Sequence, residues 1–301
     1  MLSEQSFELI ELVAKLGSFT SAANHLNKVP SAISYAVKQI EEEIGVELFE
    51  RHHRSVSLTE AGEHFVSHSK GVMASIASLK QSTLDINKGW RPALAIAIDG
   101  IVREDGISHL IRAFYQRFTD VELRIYREQV NGCWQALSEQ RCQIAIGPAS
   151  NIPVGGPFEF RKLAQLHWQF VVAAKHPLAQ VEHISLTDLV DYPAICVSDT
   201  ASDYPRYRRG VAPGQRALSV PDWIRAINCV KDGLGVGLLP AHLIEPFLAN
   251  GSLVAKSSEL TLADGDSLLV WDRNVQNEAM SWLVDYLSSD QRLVNSWFLP
   301  N

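Results

Sequence analysis

Residues 17–44 have the sequence GSFTSAANHLNKVPSAISYAVKQIEEEI. Ser18 stands directly before a segment with helical periodicity. Its hydroxyl can accept a hydrogen bond from an amide of the first turn, which predicts a helix over 19–26. Pro30 suits the first position of the following helix, because its fixed φ is helical and its missing N–H would have no partner there. Together with the helical pattern of residues 7–16, this stretch predicts three short helices joined by tight turns.

The third predicted helix has one apolar face and one polar face. The apolar residues, which we expect to be buried, are Ile33, Val37, Ile40 and Ile44. The polar residues, which we expect to face outward, are Ser31, Ser34, Tyr35 and Lys38. Two short helices, a tight turn and a third helix with a polar outer face predict a helix-turn-helix, whose last helix can enter a DNA major groove.

Residues 48–58 alternate apolar and polar side chains around a basic cluster from Arg51 to Arg54. This alternation predicts a small β-hairpin, a wing beside the third helix, whose arginines can reach phosphates. The predicted DNA contacts are Ser18, Pro30, Ser31, Ser34, Tyr35, Lys38, Arg51 and Arg54.

The charge balance is acidic, whereas DNA-binding domains are usually basic. The formal net charge is −7, and residues 1–58 hold five Lys/Arg against eight Asp/Glu. The acidic residues 41–47 stand at the far end of the third helix, while Lys28, Lys38 and the 51–54 cluster stand near its polar face. Because attraction to phosphate depends on the local field, DNA binding remains the prediction, with weak non-specific affinity.

A long helical pattern follows over 59–87. Its apolar residues recur every seven positions at Phe65, Val72, Leu79 and Ile86, with Ile76 between them. This short coiled-coil-like seam predicts dimerisation, since a small winged domain cannot bury it. The alternative is that the seam packs on the remainder of the same chain. Residues 89–92 then have the composition of a linker.

From residue 93 onward, strand-like apolar runs alternate with helical patterns. The predicted strands are 93–98, 121–126, 143–147, 170–174, 194–197 and 268–271, and the predicted helices are 104–118, 132–139, 222–231 and 278–287. This order is typical of an α/β domain with mainly parallel sheets.

An ordered series of motifs resembles the LysR-type transcriptional regulators. The motifs are residues 17–23, 31–34, 41–51 and 58–62. The sequence departs from that family at Val29, where Ser is common, and at Tyr35, where a basic residue is common. The resemblance covers essentially the whole chain and implies the following α/β organisation: a winged helix-turn-helix DNA-binding domain over 1–58, a long linker and dimerisation helix over 59–90, and a two-lobed, type 2 periplasmic-binding-protein-like effector domain over 91–301, with lobe one at 91–161 and 267–301 and lobe two at 162–266.

Ligands of open α/β sheets bind beyond the carboxyl ends of the strands, and in a two-lobed domain those ends meet at the cleft. Polar groups follow several predicted strands there. The predicted effector contacts are Asp99, Ile101, Arg103, Glu128, Asn131, Gly147, Thr200, Ser202, Asp222 and Trp223. Trp134 and Trp168 are expected to be supporting aromatic walls.

Several other signals favour ordinary structural roles. Gly233, Gly235 and Gly237 follow a helical pattern, whereas a nucleotide fingerprint requires a strand, then glycines, then a helix. His64 and His68 lie one helical turn apart, but no third metal ligand is apparent. The sequence therefore predicts no catalytic site, no metal and no cofactor other than a small-molecule effector.

The cysteines and the chain start favour an intracellular protein. Cys133, Cys142, Cys196 and Cys229 lack paired spacing, which predicts four reduced thiols; a redox switch between Cys133 and Cys142 is the alternative. A signal peptide and an apolar run long enough to span a membrane are both missing. The prediction is a cytoplasmic location with no membrane partner.

A finer resemblance narrows the chemical class of the expected effector. Residues 98–103, 131–134, 152–156, 176–179 and 220–223 look like the branch of the family that includes a regulator of purine nucleoside uptake, which implies a purine or nucleoside effector. The expected partners are a double-stranded promoter operator with dyad symmetry, a second copy of the chain in a homodimer or homotetramer, and RNA polymerase. The alternatives are a solute-binding or ligand-binding protein whose N-terminal domain serves assembly, and an architectural DNA-binding protein.

Overall fold

The computed structural model describes residues 2–52, 55–87, 93–149, 157–202, 209–274 and 277–298. The chain divides into two compact units, Met1–Trp90 and Arg91–Asn301, which we call the N-terminal and C-terminal units. In the described ranges, no helix is long and apolar enough to cross a membrane.

The N-terminal unit contains the predicted helix-turn-helix. Its elements are α1 (Glu4–Leu16), α2 (Phe19–His25), α3 (Pro30–Ile44), β1 (Phe49–Arg51), β2 (Val56–Leu58) and α4 (Glu60–Asn87). Ser18 caps α2 by accepting a hydrogen bond from the Ser21 amide at 3.4 Å. Val29 precedes Pro30 at the start of α3 and makes no side-chain cap, as its apolar side chain requires.

The core of this unit forms because each helix turns its apolar positions inward. Ile10 and Val13 of α1 meet Ile33 and Val37 of α3, and Phe49 of the wing closes the cluster. β1 and β2 pair antiparallel, from Phe49 opposite Leu58 to Arg51 opposite Val56, which gives the predicted hairpin.

Helix α4 contacts its own unit at one end of the predicted seam. Phe65 stacks on Phe7 of α1 with ring centroids 5.5 Å apart, so Phe65 belongs to the core of this unit. Val72 and Leu79 are 44% and 67% exposed. The Ile86 side chain, the linker over 88–92 and Arg54 lie outside the described residues.

The C-terminal unit alternates strands and helices, as predicted. Its elements are β3 (Ala93–Asp99), α5 (Ile107–Arg117), β4 (Glu122–Glu128), α6 (Gly132–Ser138), β5 (Ile144–Ala149), β6 (Phe158–Leu166), β7 (Trp168–Ala173), β8 (His183–Ile184), α7 (Leu186–Leu189), β9 (Ala194–Val197), β10 (Ala217–Val220), α8 (Trp223–Lys231), β11 (Gly237–Pro240), α9 (Ala241–Ala249), β12 (Leu253–Ala255), β13 (Ser257–Ser258), β14 (Gly265–Asp272), α10 (Glu278–Ser289) and α11 (Gln291–Phe298). All six predicted strands are present, but β6, β8 and β10 to β13 were not predicted.

Lobe one is built on a five-stranded sheet with the order β4-β3-β5-β14-β6. β3 pairs parallel with β4 and β5, whereas β14 pairs antiparallel with β5 and β6. The prediction of mainly parallel sheets is therefore wrong for this lobe, because β14 returns from a distant part of the chain. Phe114, Leu283 and Trp297 form the core on one face, and Trp134 of α6 packs on the other.

Lobe two combines the antiparallel sheet β11-β7-β12 with the parallel pair β9 and β10. The predicted lobe boundaries fall at 161/162 and 266/267, inside β6 and β14. These two strands pair with each other from Phe158 to Leu166 in the sheet of lobe one. The chain therefore crosses between the lobes beside β6 and β14, near His167 and Asp264.

The three clustered glycines connect α8 to β11, which is the helix-to-strand order. Gly233 has a positive φ of 72° just after α8. A Cβ on Gly235 would lie 2.3 Å from the Pro193 carbonyl oxygen, so only glycine fits this close approach.

Candidate functional site

The outward face of α3 carries the predicted groove contacts. Ser31 and Lys38 are exposed, Tyr35 is 64% exposed, and Ser34 is half-buried. Gln39 Nε2 donates a hydrogen bond of 2.9 Å to Tyr35 Oη, which orients the phenol along the helix. This face offers hydroxyl, phenol and ammonium groups on a rigid helix, and such groups contact base edges and phosphates.

Arg51 ties the wing to α3. Its Nη1 donates to Ser34 Oγ at 3.1 Å, and its guanidinium carbon lies 5.2 Å from the Phe19 ring centroid. Its Nη2 also lies 3.8 Å from a Glu41 carboxylate oxygen. Arg51 is thus held in place beside the groove face by Ser34, Phe19 and Glu41, and Ser34 has a structural partner within the unit.

Glu41 is a residue whose role the sequence did not indicate. It was grouped with the acidic residues at the far end of α3, but it is only 8% exposed. One of its carboxylate oxygens accepts hydrogen bonds from the Leu48 amide at 2.8 Å and the Phe49 amide at 3.1 Å. Glu41 therefore satisfies the backbone where the wing begins, and its charge is removed from the surface of α3.

A cavity of about 70 Å³ lies between the two lobes of the C-terminal unit. Five predicted effector contacts and both predicted aromatic walls line it: Asp99, Ile101, Asn131, Gly147, Trp223, Trp134 and Trp168. Trp168 and Trp223 face each other with ring centroids 5.6 Å apart. The lining residues that were not predicted are Val130, Leu166, Ile195, Cys196, Val197, Arg209, Leu238 and Leu262.

Most of the lining residues missed from the sequence are apolar or come from lobe two. Ile195 to Val197 belong to β9, and Leu238 belongs to β11. Apolar side chains at strand ends carry no signal that separates a cavity wall from a core position. Arg209 does not directly follow a predicted strand, so the strand-end rule could not select it.

The other five predicted contacts make bonds within the protein. Arg103 forms an ion pair with Asp105 at 3.0 Å, and Asp222 caps α8 by accepting from the Arg225 amide at 2.6 Å. Glu128, Thr200 and Ser202 belong to a set of hydrogen bonds between the lobes. We call this set the interlobe clasp: residues 199–202 of lobe two bound to residues 128–135 of lobe one.

Thr200 is central to the interlobe clasp. Its hydroxyl donates to Glu128 Oε2 at 2.5 Å and accepts from the Gln129 amide at 3.0 Å. The other Glu128 oxygen accepts from Arg141 Nη1 at 2.6 Å. The carboxylate of Glu128 is therefore buried between an arginine and a hydroxyl, which satisfies its charge.

Two further pairs extend the clasp. Asn131 donates to Asp199 from its amide side chain at 2.7 Å and from its backbone at 3.1 Å. The Ser202 amide donates to Gln135 Oε1 at 2.7 Å, and Gln135 Nε2 donates to Ser202 Oγ at 3.0 Å. Gly132 allows the close approach, because a Cβ there would lie 1.8 Å from the Thr200 hydroxyl oxygen.

Asp99 is the buried acid of the cavity. It is 5% exposed, and its Oδ1 accepts a hydrogen bond from the Ile101 amide at 2.9 Å. Burial raises the pKa of Asp99 to about 7, and the Ile101 amide and Arg127 offset only part of this effect. On the far side of Ile101, its carbonyl oxygen lies 2.8 Å from His242 Nε2 of lobe two, and burial lowers the pKa of that histidine.

The described residues give little structural support for a metal site at His64 and His68 or for a redox switch between Cys133 and Cys142. The His64 and His68 rings lie 4.1 Å apart, and within the described ranges no group of three potential metal-ligating side chains occurs. Cys133 and Cys142 are free and buried, and burial raises the pKa of the Cys142 thiol to about 12. Thiols with raised pKa values are poor nucleophiles, which supports the structural interpretation.

Known proteins match both units. Residues 5–63 match the family "Bacterial regulatory helix-turn-helix protein, lysR family", and residues 87–292 match "LysR substrate binding domain". The HTH-type transcriptional regulator PunR of Escherichia coli (strain K12) is 40% identical over 298 residues, which is 99% of this chain and 96% of the relative.

Two solved structures share the fold along the whole chain. CbnR, a LysR family transcriptional regulator, gives a TM-score of 0.51 at 16% identity, covering 97% of this chain and 99% of CbnR. LysG from Corynebacterium glutamicum, solved with bound effector Arg, gives a TM-score of 0.50 at 20% identity, covering 99% of this chain and all of LysG. The alternative of a ligand-binding protein with an assembly domain is not favoured, because the N-terminal unit itself matches the DNA-binding family. The chain therefore belongs to the LysR family and is a helix-turn-helix transcriptional regulator with an effector-binding domain.

Proposed function

We propose that this regulator binds a double-stranded operator with α3 in the major groove and the wing on the flanking backbone. A purine base or nucleoside, bound between the lobes, adjusts that binding. The observation that carries the DNA proposal is the exposed face of α3 with Arg51 fixed beside it by Ser34. A rigid helix with a positioned arginine suits groove recognition, because phosphate contacts fix the register in which base contacts read the sequence.

Within this interface the residues have different expected roles. Pro30 and Ser31 stand at the exposed N-terminus of α3, where helix amides attract phosphate. Tyr35 and Lys38 project further along the same face, Tyr35 toward base edges and Lys38 toward phosphate. Ser18 caps α2 and is proposed to contact the DNA backbone. Arg54 is proposed as a phosphate contact on its sequence position alone.

Pairing of subunits is proposed to involve α4. Val72 and Leu79 expose apolar side chains at heptad spacing, and such a stripe is covered when two helices pair. A two-fold dimer implies an operator with dyad symmetry, and two such dimers would make a tetramer. RNA polymerase is the proposed further partner, and the proposed place of action is the compartment that holds the operator, the cytoplasm in a bacterium.

The effector proposal rests on the chemistry of the cavity and on the resemblance of the sequence to the branch of the family that includes a regulator of purine nucleoside uptake. Three indoles, Trp134, Trp168 and Trp223, suit a flat ring, and Asp99 and Asn131 supply hydrogen-bonding groups. Ligand sites usually offer roughly 300–1,000 Å³, so the lobes must separate somewhat to admit a nucleoside into the 70 Å³ cavity.

Gel-shift titration against DNA from the gene neighbourhood tests the DNA-binding interface. Lys38→Ala is expected to weaken binding to all sequences and to lower the salt slope by about one, because one phosphate contact is lost. Tyr35→Ala is expected to alter which sites are preferred. Lys175→Ala, which removes an exposed lysine of lobe two, is the matched control. Wild-type binding by both α3 variants would contradict the interface.

A further inference from the structure

Asp99 combines burial with an incomplete set of partners. It lines the cavity at 5% exposure, and its Oδ1 accepts from the Ile101 amide at 2.9 Å. Among the described residues, Asp99 forms no ion pair, and its Oδ2 accepts no hydrogen bond. A buried side chain that borders a cavity and has one carboxyl oxygen without a protein donor points to a donor on the ligand.

We propose that Asp99 selects the effector: its ionised carboxylate accepts a hydrogen bond from an N–H group of a flat nitrogen heterocycle lying against the indole rings, and binding therefore releases the carboxyl proton to solvent. This inference rests on the proposed effector site and adds the chemistry by which that site recognises its ligand. A ligand that offers only acceptor atoms at this end of the cavity is excluded.

The charges around Asp99 favour a donor over an acceptor. Arg127, a cation that favours the ionised form of Asp99, donates its Nη2 to the carbonyl oxygens of Gly100 and Val102, at 3.1 and 2.6 Å. Two further acids, Glu128 and Asp199, act on Asp99 from the clasp and oppose its ionisation. A hydrogen bond from an N–H group stabilises the ionised Asp99 carboxylate among these acids. An anion, or the lone pair of an acceptor atom, would be repelled by it.

Two further residues, Cys133 and Arg209, bear on which ligand groups the cavity accepts. Burial raises the pKa of the Cys133 thiol of α6, and Asp99 adds to this effect, so the thiol stays uncharged. Arg209 lines the same cavity. The cavity thus offers an acceptor at Asp99 and a donor at Arg209, which suits a neutral ring bearing an N–H at one edge and a carbonyl or ring nitrogen at another.

The direction in which ligand affinity changes with pH depends on which form of the Asp99 carboxyl binds the ligand. Burial places the pKa of free Asp99 at about 7. An N–H donor binds the ionised form, so affinity should rise roughly tenfold per pH unit below 7 and become constant above it. A ligand that fixes the ionised form should release about 0.9 protons at pH 6 and about 0.1 at pH 8.

Isothermal titration calorimetry of the full chain tests this linkage. Inosine, guanosine and adenosine are titrated at pH 6 in phosphate and in Bis-Tris, and at pH 8 in phosphate and in Tris, because the difference in heat between the two buffers at each pH counts the protons released. Asp99→Asn should bind about 10- to 100-fold more weakly at pH 8 and should release no proton at pH 6. Asp285→Asn, which alters an exposed carboxylate of α10, should match the wild type.

The outcomes separate this inference from the function on which it rests. If a nucleoside binds wild type and Asp99→Asn with the same affinity and the same proton count, the role of Asp99 is overturned while the effector class stands. Affinity that falls as pH rises would mean that a neutral carboxyl donates, which also overturns it. If no nucleoside gives heat with a wild type that shifts operator DNA, the purine class fails, and this inference with it. A circular dichroism spectrum equal to that of the wild type shows that Asp99→Asn is folded.

Discussion

Replacing Thr200 with valine tests whether the interlobe clasp holds the two lobes together. Valine keeps the branched shape of threonine but lacks the hydroxyl that donates to Glu128 at 2.5 Å and accepts from the Gln129 amide at 3.0 Å. The substitution therefore deletes two hydrogen bonds between the lobes and leaves the cavity lining unchanged, since the cavity is formed by other residues.

The expected loss is about 2 kcal/mol. A hydrogen bond to a charged group contributes about 1.5–3 kcal/mol and a neutral one about 1 kcal/mol. Two features lower the sum: Thr200 is exposed, so water can replace part of what is lost, and Arg141 still binds the Glu128 carboxylate at 2.6 Å. A loss of about 2 kcal/mol corresponds to a roughly thirtyfold increase in the population of the open clasp.

Hydrogen exchange followed by mass spectrometry measures that opening in the full chain. If the clasp opens as one unit, the amides of Asn131 and Ser202 should exchange roughly thirtyfold faster in Thr200→Val, although their own partners are unchanged. Thr261→Val, an exposed threonine of lobe two, is the matched control. Faster exchange confined to the Gln129 amide would refute the reasoning, because the three contacts would then open independently.

Three other results are expected from the two units. Glu41→Leu leaves the two wing amides unpaired and should lower the free energy of unfolding in urea by about 2 kcal/mol, whereas Glu42→Leu on the exposed side should change it little; equal losses would show that the buried carboxylate is not what supports the wing. Val72→Asp combined with Leu79→Asp should dissociate the dimer in sedimentation, and an unchanged size would place the subunit interface elsewhere. A buried Asp99 that binds its proton more tightly when folded stabilises the protein at low pH and loses this contribution as pH rises toward 7, so the wild type should lose roughly 3 kcal/mol relative to Asp99→Asn between pH 5 and pH 8.5; parallel stability profiles by urea unfolding would contradict that.

Local signals explain why the helix-turn-helix could be predicted almost residue by residue. Ser18 caps α2 and Pro30 begins α3 as expected, because caps and helix-start prolines act on atoms within four residues of themselves. Phe65 shows the limit of this reasoning. Its heptad position suggested a partner helix, but it stacks on Phe7 of α1, a contact made across 58 residues of chain.

The lobe boundaries depend on pairing that the sequence does not display. β6 was not predicted, and it belongs to lobe one only because Gly265–Asp272 returns to lie beside it. Because β14 pairs antiparallel with both β5 and β6, two of the four strand pairs in this sheet are antiparallel. Strand pairing between segments about 100 residues apart is set by the packing of the whole lobe, so patterns in a short window could locate the strands but not their neighbours.

The candidate effector residues divide for the same reason. A polar side chain at a strand end is directed to the cleft, but the opposite lobe determines whether it has a protein partner. Within the described ranges one Asp99 oxygen accepts no hydrogen bond, whereas Thr200 donates to Glu128. Because Asp99 lies in the cavity and Thr200 lies in the clasp, we expect substitutions at Asp99 to change ligand affinity and substitutions at Thr200 to change how tightly the lobes are held together. An effector shifts the lobes only by its different affinity for the open and closed arrangements. Asn131 belongs to both sets, because it lines the cavity and its side-chain amide donates to Asp199 at 2.7 Å. A ligand that takes this amide would remove one hydrogen bond of the clasp, while the Asn131 backbone still donates to Asp199. Asn131 is therefore the residue through which occupancy of the cavity can change how the lobes are held.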